Sequence, residues 1–512
     1  MSFSAMLKAA HARPREPAAL FELARAALAE QQEEAALPIV LDAARALSDA
    51  RLWQWSGLMQ RALDDHGEAL RSFEVAARHA PEDQSIAHGH ARIALEAGLD
   101  DAVPLYARAR QLGQPTGDIL VGEAAALLAA GRGEEAASGL DGVLQQAPLW
   151  MQGHAQLAQL RALLGRADLA AASLGRALRD QTGNAVLWHG LFALRVRQED
   201  YVALGRAVSR ARAALKNDRF AADHAAIAAA ETGDVARADA AFEQLAVAER
   251  QRLAVWEIRH ALRCGRVEQA LALIDRAIVS DQADAIWPYA ASAWRIAGDP
   301  RSAWLNAPGF VLVVDLGREL PDLDLLAATL RKLHMARGEH LDQSVRGGTQ
   351  TDGPLFCRVD PCIRAVRAAV ARAVERYARA LPPVDPEHPL LRHARDRRVR
   401  FAGSWSVRLR DGGHHSNHVH PLGWVSSALY VALPERTPVD AEDSGWLMLG
   451  GAPPNCGVSL DAERRIEPSV GQLALFPSWL WHGTTPFAQG ERITIAFDVA
   501  CSLQSLLPSP TR

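Results

Sequence analysis

The feature that most constrains the fold of this chain is a turn signature that returns every 32 to 34 residues up to about residue 305. The turn positions are Glu30, Asp64, Gly98, Gly131, Gly165, Glu199, Gly233, Gly265 and Gly298. An alanine stands five residues after most of these turns, and the segments between them are rich in alanine and leucine. A period of this length is typical of stacked helical hairpins, because one hairpin cannot bury its apolar face alone. The sequence therefore predicts an all-α solenoid.

This periodic region, residues 1–304, resembles a tetratricopeptide-repeat (TPR) array. Such an array has a concave groove lined by the first helix of each pair, and the resemblance implies that the groove holds a protein or peptide segment. The alternative is that the array serves only as a spacer or as a dimerisation surface. The sequence does not identify a ligand for the groove, and the oligomeric state is not predicted.

The helical period stops near residue 305, and a different pattern begins. Residues 310–314 form the first clear β-type run. Two helices are predicted next, around 323–335 and 361–381, and the second has apolar residues at helical spacing. We therefore expect a support region of helices and strands over 305–399 and a β-rich core over 400–512.

The β-rich region carries three histidines and one arginine at a spacing suited to a metal centre. His418 and His420 are two residues apart, and side chains two apart on a strand point to the same face. His482 follows a second apolar run, and Arg492 stands ten residues later. The alternation that begins at Arg492 places Arg492 and Thr494 on one strand face. Histidine nitrogen is a common ligand of divalent metals, so these residues predict a metal centre.

Together these motifs resemble a bacterial and phage group of 2-oxoglutarate and Fe(II)-dependent oxygenases. The matching segments are His418 to Pro421, Ser427 to Tyr430, Phe476 to Ser478, Arg492 to Ile495 and the loop Gly347 to Thr351. The resemblance implies a double-stranded β-helix, a jelly-roll barrel, with Fe(II) bound by His418, His420 and His482. It also implies 2-oxoglutarate and O2 as co-substrates. Arg492 would bind the distal carboxylate of 2-oxoglutarate, with Thr494 and Tyr430 as further contacts.

His420 leaves alternatives open, because the middle ligand of the commoner oxygenases is Asp or Glu. A histidine there is also the pattern of three-histidine dioxygenases that use no 2-oxo acid. In another interpretation, His420 is not a ligand but lies next to a site with only two histidine ligands. His414 and His415, beside the Gly412–Gly413 turn, are expected in an exposed flexible turn and not among the ligands.

Six more residues are candidates for contact with a substrate. They are Gln350, Arg408, Trp405, Trp424, Trp479 and Trp481. For the four tryptophans the alternative is core packing, because large aromatic side chains near a barrel mouth are often part of the core.

Composition and charge narrow the class of protein. The 512 residues are 49% hydrophobic and 23% charged, as expected of a globular protein with two or three domains. The net charge is only −4, so the basic run from Arg392 to Arg400 does not predict nucleic-acid binding. Five scattered cysteines without a Cys-x-x-Cys pair predict free thiols. The sequence has neither a signal-peptide pattern nor a run of about 18 apolar residues, so we expect a cytoplasmic protein without membrane contact.

The two regions together predict one function. We expect an Fe(II)- and 2-oxoglutarate-dependent dioxygenase that hydroxylates a protein or peptide substrate recruited by the TPR array. The alternative from a different class is an adaptor whose oxygenase domain is catalytically inactive.

Overall fold

The computed structural model describes residues 1–341 and 344–501 of the chain. In this part, twenty α-helices precede the first strand. They are α1 (Phe3–Ala12), α2 (Pro17–Glu30), α3 (Glu33–Leu47), α4 (Ala50–Ala62), α5 (His66–His79), α6 (Gln84–Ala97), α7 (Ala102–Gln111), α8 (Gly117–Ala129), α9 (Gly133–Gln146), α10 (Met151–Leu163), α11 (Ala172–Asp180), α12 (Ala185–Arg197), α13 (Tyr201–Leu215), α14 (Ala222–Glu231), α15 (Val235–Glu243), α16 (Val247–Arg252), α17 (Ala254–Arg263), α18 (Val267–Ala277), α19 (Ala283–Ala297) and α20 (Arg301–Leu305). The predicted helical array is confirmed.

The recurring turns join the two helices of a hairpin, and their backbone explains the residues found there. Gly98 ends α6 in the left-handed conformation, with φ of 77°, which glycine adopts without strain. Asp64 adopts the same conformation with φ of 58°. The alanines after the turns that are buried are Ala69, Ala136, Ala170, Ala238 and Ala270. Ala303, in the last helix α20, is exposed.

The described C-terminal residues contain nine strands in two antiparallel sheets. They are β1 (Leu312–Asp315), β2 (Val345–Gln350), β3 (Phe401–His415), β4 (Gly423–Ala432), β5 (Leu447–Leu449), β6 (Arg464–Ile466), β7 (Gln472–Pro477), β8 (His482–Thr484) and β9 (Arg492–Ala500). The larger sheet has the order β1-β7-β4-β9-β3-β2 and the smaller one β6-β5-β8. Leu447 and Leu449 of the smaller sheet pack against Ala474 and Phe476 of the larger. The predicted fold class, a helical array with a jelly-roll barrel, is confirmed.

Strand β9 lies between β4 and β3 in the larger sheet, and its register positions the polar residues of the barrel. Thr494 stands opposite Tyr430 on β4, and Asp498 opposite Ser426. Ile493 and Ile495 of β9 are fully buried in the core on the other face of the sheet, as the alternation predicts.

Two helices support the barrel. Helix α21 (Leu323–Leu333) and helix α22 (Pro361–Ala380) have the positions that the sequence predicts, within two residues at their ends. The predicted apolar face of α22 is buried and consists of Ile363, Val366, Val370, Val374 and Tyr377. The Tyr377 hydroxyl donates to the Phe310 carbonyl at 2.7 Å, which fixes the helix to the segment before β1.

The last helices of the array and the barrel share one hydrophobic core. Residues of α17 and α19 belong to the same buried cluster as strands β4, β7 and β9. The Trp481 indole N–H donates to the Pro288 carbonyl of α19 at 3.0 Å. Secondary structure changes near residue 305, but packing is continuous there. The limits 1–304, 305–399 and 400–512 stay predictions as domain boundaries, and residues 502–512 lie outside the described part.

The edge of the array that is formed by its hairpin turns, called the turn edge, contacts the oxygenase part, residues 305–501, at several repeats. Backbone carbonyls at the ends of the first helices accept hydrogen bonds from it, because those carbonyls have no partner within their own helix. The Asp64 carbonyl accepts from Arg367 Nη1 (2.6 Å), and the Ala97 carbonyl accepts from the Val359 N–H (3.0 Å). The Leu163 carbonyl accepts from the Arg337 N–H (2.8 Å), and the Gln31 carbonyl accepts from Arg397. Several hairpin turns of the array therefore contact the segments that precede β3.

The basic run before β3 pairs with acidic residues of the array. Arg400 lies 2.8 Å from Glu33 and 3.1 Å from Glu34, and Arg398 lies 2.6 Å from Asp65. This charge complementarity accounts for the run within the protein itself. In residues 1–341 and 344–501, no helix has the length and apolar character needed to cross a bilayer.

Candidate metal and co-substrate site

The three histidines meet from two segments of the chain. His418 and His420 lie just after β3, and His482 is the first residue of β8. The backbones of His418 and His482 form an antiparallel bridge, with N–O distances of 2.9 and 3.0 Å. The sequence predicts a regular strand here, but the structure has an extended segment with a single bridge. The ring centroids of His418 and His420 still lie 4.1 and 5.1 Å from that of His482.

One nitrogen of each ring is fixed by an oxygen acceptor. The acceptors of the Nδ1 atoms are the Ser416 carbonyl for His418 (2.9 Å), the Leu480 carbonyl for His482 (2.9 Å) and an Asp498 carboxylate oxygen for His420 (2.6 Å). An oxygen acceptor requires a proton on Nδ1, so the lone pair of each ring is on Nε2. One ligand nitrogen from each of the three rings lies within 4.8 Å of the others.

The protonation of these rings suits metal binding. Burial, and after it the neighbouring imidazoles, lowers the pKa of His418 and of His482 well below the usual value. Both rings are therefore neutral at neutral pH. A neutral imidazole is the form of histidine that binds a metal.

Asp498 and Trp405 hold His420 in place. The Asp498 carboxylate accepts from His420 on one oxygen and from the Ser426 hydroxyl, at 2.6 Å, on the other. The Trp405 ring is parallel to the His420 ring, with centroids 5.4 Å apart and planes at 2°. A carboxylate thus stands directly behind His420.

Arg492 lies in the same cavity as the histidines. Its side chain is 2% exposed, Nη1 donates to the Gly445 carbonyl at 2.7 Å, and the guanidinium carbon is 5.0 Å from the Tyr430 ring centroid. Among the described residues, neither Arg492 Nε nor the Tyr430 hydroxyl has a hydrogen-bond partner. Burial lowers the pKa of Arg492 and raises that of Tyr430. Unpaired buried donors cost free energy, so a carboxylate ligand would fit this end of the cavity.

The cavity has a volume of about 500 Å³. The three histidines, Arg492 and Thr494 line it, together with Gln350 and Trp405 from the set of candidate substrate contacts. Arg408 does not line the cavity, because it pairs with Glu491.

The other three tryptophans are core residues. Trp424, Trp479 and Trp481 are at most 6% exposed and belong to the core that the barrel shares with the last repeats. Their indole N–H groups donate to Leu390, Asn306 and Pro288. The core-packing alternative therefore applies to these three.

The expected setting of His415 is wrong. Strand β3 continues through Gly412–Gly413 to His415, whose ring lines the cavity. The Ser344 hydroxyl lies between this ring and His418, 3.0 Å from His415 Nδ1 and 3.1 Å from His418 Nε2. Sequence reasoning treated the two glycines as the end of the strand. The pairing of β3 with β2 shifts register between Leu409 and His414, so strand alternation from Trp405 does not by itself place His415 in the cavity.

Asp498 was also missed, although a signal for it exists. Residues 492, 494, 496 and 498 all line the cavity, as the period of two requires. Extending the alternation by four residues beyond Thr494 would have found the carboxylate.

Comparison with known proteins gives one family match. Residues 403–498 match the family model described as "Putative 2OG-Fe(II) oxygenase". The match includes the three histidines and Arg492. A search of the curated proteins gives no match.

Three solved structures similar to parts of the chain have low scores. A prolyl-4-hydroxylase from Pseudomonas putida has 18% identity, a TM-score of 0.26, and coverage of 38% of this chain and 92% of that chain. A viral collagen prolyl hydroxylase from Paramecium Bursaria Chlorella virus-1, in a 2OG complex, has 14% identity, a TM-score of 0.25, and coverage of 38% and 96%. A tetratricopeptide repeat protein from Parabacteroides merdae has 17% identity, a TM-score of 0.28, and coverage of 53% and 95%.

Proposed function

Residues 403–498 belong to the 2OG-Fe(II) oxygenase family, and on that basis we propose that the protein is an Fe(II)- and 2-oxoglutarate-dependent hydroxylase. The observation that carries the proposal is one cavity with two ends. At one end stand His418, His420 and His482, with one ligand nitrogen from each within 4.8 Å of the others, and at the other stands the buried cation Arg492. A metal and a dicarboxylate would occupy these two ends together.

The donor set fits ferrous iron. Three neutral imidazoles leave coordination positions free for further ligands. Asp498 fixes the orientation of His420 and brings a negative charge within 2.6 Å of its ring. A carboxylate behind a histidine ligand makes that ligand a stronger donor. The proposal therefore assigns His420 to the metal and Asp498 to the support of His420.

The residues at the other end fit a carboxylate. Arg492 would pair with the distal carboxylate of 2-oxoglutarate, because its Nε is free to donate and no carboxylate of the described residues pairs with it in the structure. The Tyr430 hydroxyl and Thr494, adjacent across β4 and β9, would donate the remaining hydrogen bonds. Their role is to position the co-substrate.

When bound, iron and 2-oxoglutarate would supply the oxidising chemistry, in which 2-oxoglutarate, O2 and a C–H bond give succinate, CO2 and an alcohol. The chain contributes the positions of the reactants. The fixed Nδ1 protons of His418 and His482 keep these rings in the ligating tautomer.

Two measurements test this proposal. The first is succinate formation by the full-length protein with Fe(II), 2-oxoglutarate and O2, which the proposal requires even without substrate, at a low uncoupled rate. The second is the metal-to-ligand charge-transfer absorption that appears when 2-oxoglutarate is added anaerobically to the iron-loaded protein. Arg492→Ala should raise the concentration of 2-oxoglutarate needed for that absorption at least tenfold, since one charged hydrogen-bonding partner is worth roughly 1.5–3 kcal/mol.

Two other results would favour the alternative functions, an inactive adaptor or a three-histidine dioxygenase. Iron binding without succinate or the absorption band would favour an inactive adaptor. Oxygen uptake with an organic substrate but without dependence on 2-oxoglutarate would favour a three-histidine dioxygenase.

For the substrate, we propose a polypeptide segment that enters between the array and the barrel. A cleft of about 520 Å³ lies between helices α6 and α8 and the segments 332–336 and 350–358. Gln350 lines both this cleft and the catalytic cavity. The cleft has apolar walls, among them Leu95 and Leu99, and lies beside the first helices of the hairpins, where TPR grooves hold peptides.

Leu99→Arg tests the cleft. We expect it to lower hydroxylation of a protein substrate while uncoupled 2-oxoglutarate decarboxylation stays unchanged, because Leu99 does not line the catalytic cavity. The matched control is Leu149→Arg, at an exposed leucine outside the cleft. Equal substrate turnover in both variants would contradict this route.

A further inference from the structure

A second cluster of metal-binding side chains lies where the second hairpin of the array meets the oxygenase part. Asp64 is in the turn after α4, His66 is the first residue of α5, and Cys357 ends the short 3-10 helix Leu355–Cys357. One ligand atom from each of the three lies within 4.8 Å of the others. The cluster belongs to the seam between the two parts and is separate from the residues that line the catalytic cavity.

Glu96 fixes one ring nitrogen of His66. His66 Nε2 lies 3.2 Å from a Glu96 oxygen, and Arg61 donates two hydrogen bonds to the same carboxylate, at 2.7 and 2.8 Å. In the neutral ring, an Nε2–H that donates to this carboxylate leaves the lone pair on Nδ1.

That lone pair has nothing to bind. The His66 side chain is 4% exposed, and within the described residues its Nδ1 has no hydrogen-bond partner. A buried acceptor without a donor is costly and calls for an explanation. A histidine whose Nε2–H is held by a carboxylate while Nδ1 is free has the arrangement of a metal ligand.

The two neighbouring groups complete a ligand set. The Asp64 carboxylate is 3.8 Å from the Arg367 guanidinium, and Cys357 Sγ lies within 4.8 Å of a ligand atom of Asp64 and of His66. A divalent cation between these groups would bind the carboxylate and a thiolate.

We propose that Asp64, His66 and Cys357 bind a zinc-type divalent ion that joins the second hairpin to the oxygenase part. A thiolate, an imidazole and a carboxylate are the ligand types that zinc takes, with one position left for water. Binding releases the Cys357 thiol proton to solvent and changes no oxidation state. Glu96 behind His66 repeats the arrangement of Asp498 behind His420. The proposal does not depend on the proposed enzymatic function.

Cobalt titration of the metal-free, reduced full-length protein distinguishes the two sites, because only the seam site contains sulfur. We expect two equivalents of Co²⁺ to bind and a thiolate-to-cobalt charge-transfer band to appear in the near ultraviolet. Cys357→Ser should remove the band and one equivalent. His482→Ala should keep the band and lose the other equivalent.

Cys264→Ser is the matched control, because Cys264 also lies near a histidine, with Sγ 3.9 Å from His260 Nδ1. It should leave the band unchanged. A band that survives in Cys357→Ser, or its absence from the folded wild-type protein, would overturn the proposal. If Cys357→Ser does not fold, the wild-type protein provides a second test. Zn²⁺ should slow the alkylation of Cys357 at least tenfold, and peptide mapping measures this rate. An unchanged rate would also overturn the proposal.

Discussion

The hairpin turns of the helical array and the Arg492 end of the barrel cavity differ in how their polar groups are paired. At the turns, backbone carbonyls accept hydrogen bonds from residues of the oxygenase part, Asp64 from Arg367 and Ala97 from Val359. In the barrel, Arg492 Nε and the Tyr430 hydroxyl are buried without a partner in the described structure, as is His66 Nδ1 in the array. Satisfied groups stabilise a fold, whereas unsatisfied buried groups are candidates for contact with a ligand. The turn carbonyls therefore support the fold, and the unpaired groups indicate where ligands would bind.

The array therefore has a structural role in addition to its expected role in recruiting a substrate. Its groove was expected to recruit a substrate, but its last helices also complete the core of the barrel, and its turn carbonyls accept hydrogen bonds from the oxygenase part. The two roles use neighbouring residues, because Gly98 and Leu99 line the proposed cleft while the Ala97 carbonyl accepts from Val359. Substitutions can separate the two roles, whereas a deletion cannot.

The largest effect is expected from removing the array. A chain of residues 305–512 should lack cooperative unfolding by calorimetry, because Trp424, Trp479 and Trp481 lose part of the core that they share with α17 and α19. The full-length protein, measured beside it, should unfold cooperatively. A folded fragment that binds iron would show that the barrel is independent of the array.

The second-largest effect is expected on enzymatic function, with no change in the fold. His482→Ala should abolish succinate formation and remove bound iron, because the remaining site has two imidazoles. Global secondary structure by circular dichroism should be unchanged, since the backbone bridge between His418 and His482 does not use the side chain. Retained turnover would exclude His482 as a ligand.

At the seam, Arg400→Ala should lower the free energy of unfolding by about 3 kcal/mol. The reason is that Glu33, which is 2% exposed, would be left as a buried charge without Arg400 at 2.8 Å. Denaturant unfolding measures the change, and Arg71→Ala is the control. Arg71 and Glu68 form an exposed pair within one helix, and its loss should cost less than about 0.5 kcal/mol. Equal losses would mean that the seam pair contributes no more than a surface pair.

The smallest expected effect separates Asp498 from the ligands. Asp498→Asn keeps the shape of the side chain but removes the charge behind His420, so iron affinity should fall about 10- to 100-fold. Iron titration measures this, and turnover should recover at saturating iron. Failure to recover at any iron concentration would mean that Asp498 does more than support His420.

The sequence by itself determined the solenoid and the histidine and arginine motifs, and the resemblance that those motifs carry implied the barrel type. The underlying patterns are periodic or short-range: a repeat of 32 to 34 residues, a strand alternation, or two histidines separated by one residue. Local patterns survive in the fold because they express what each element must bury. The alternation of β9 also contained Asp498, which an extension of the pattern beyond Thr494 would have found.

Only the tertiary structure decided which groups meet across the chain. Cys357 and His66 are far apart in sequence, as are Ser344 and His418, and no pattern relates them. The same holds for the turn carbonyls that accept from Arg367 and Val359. The physical reason is that a hydrogen bond or an ion pair constrains two residues only once the core brings them together. The amino-acid composition and the repeat period do not predict such contacts.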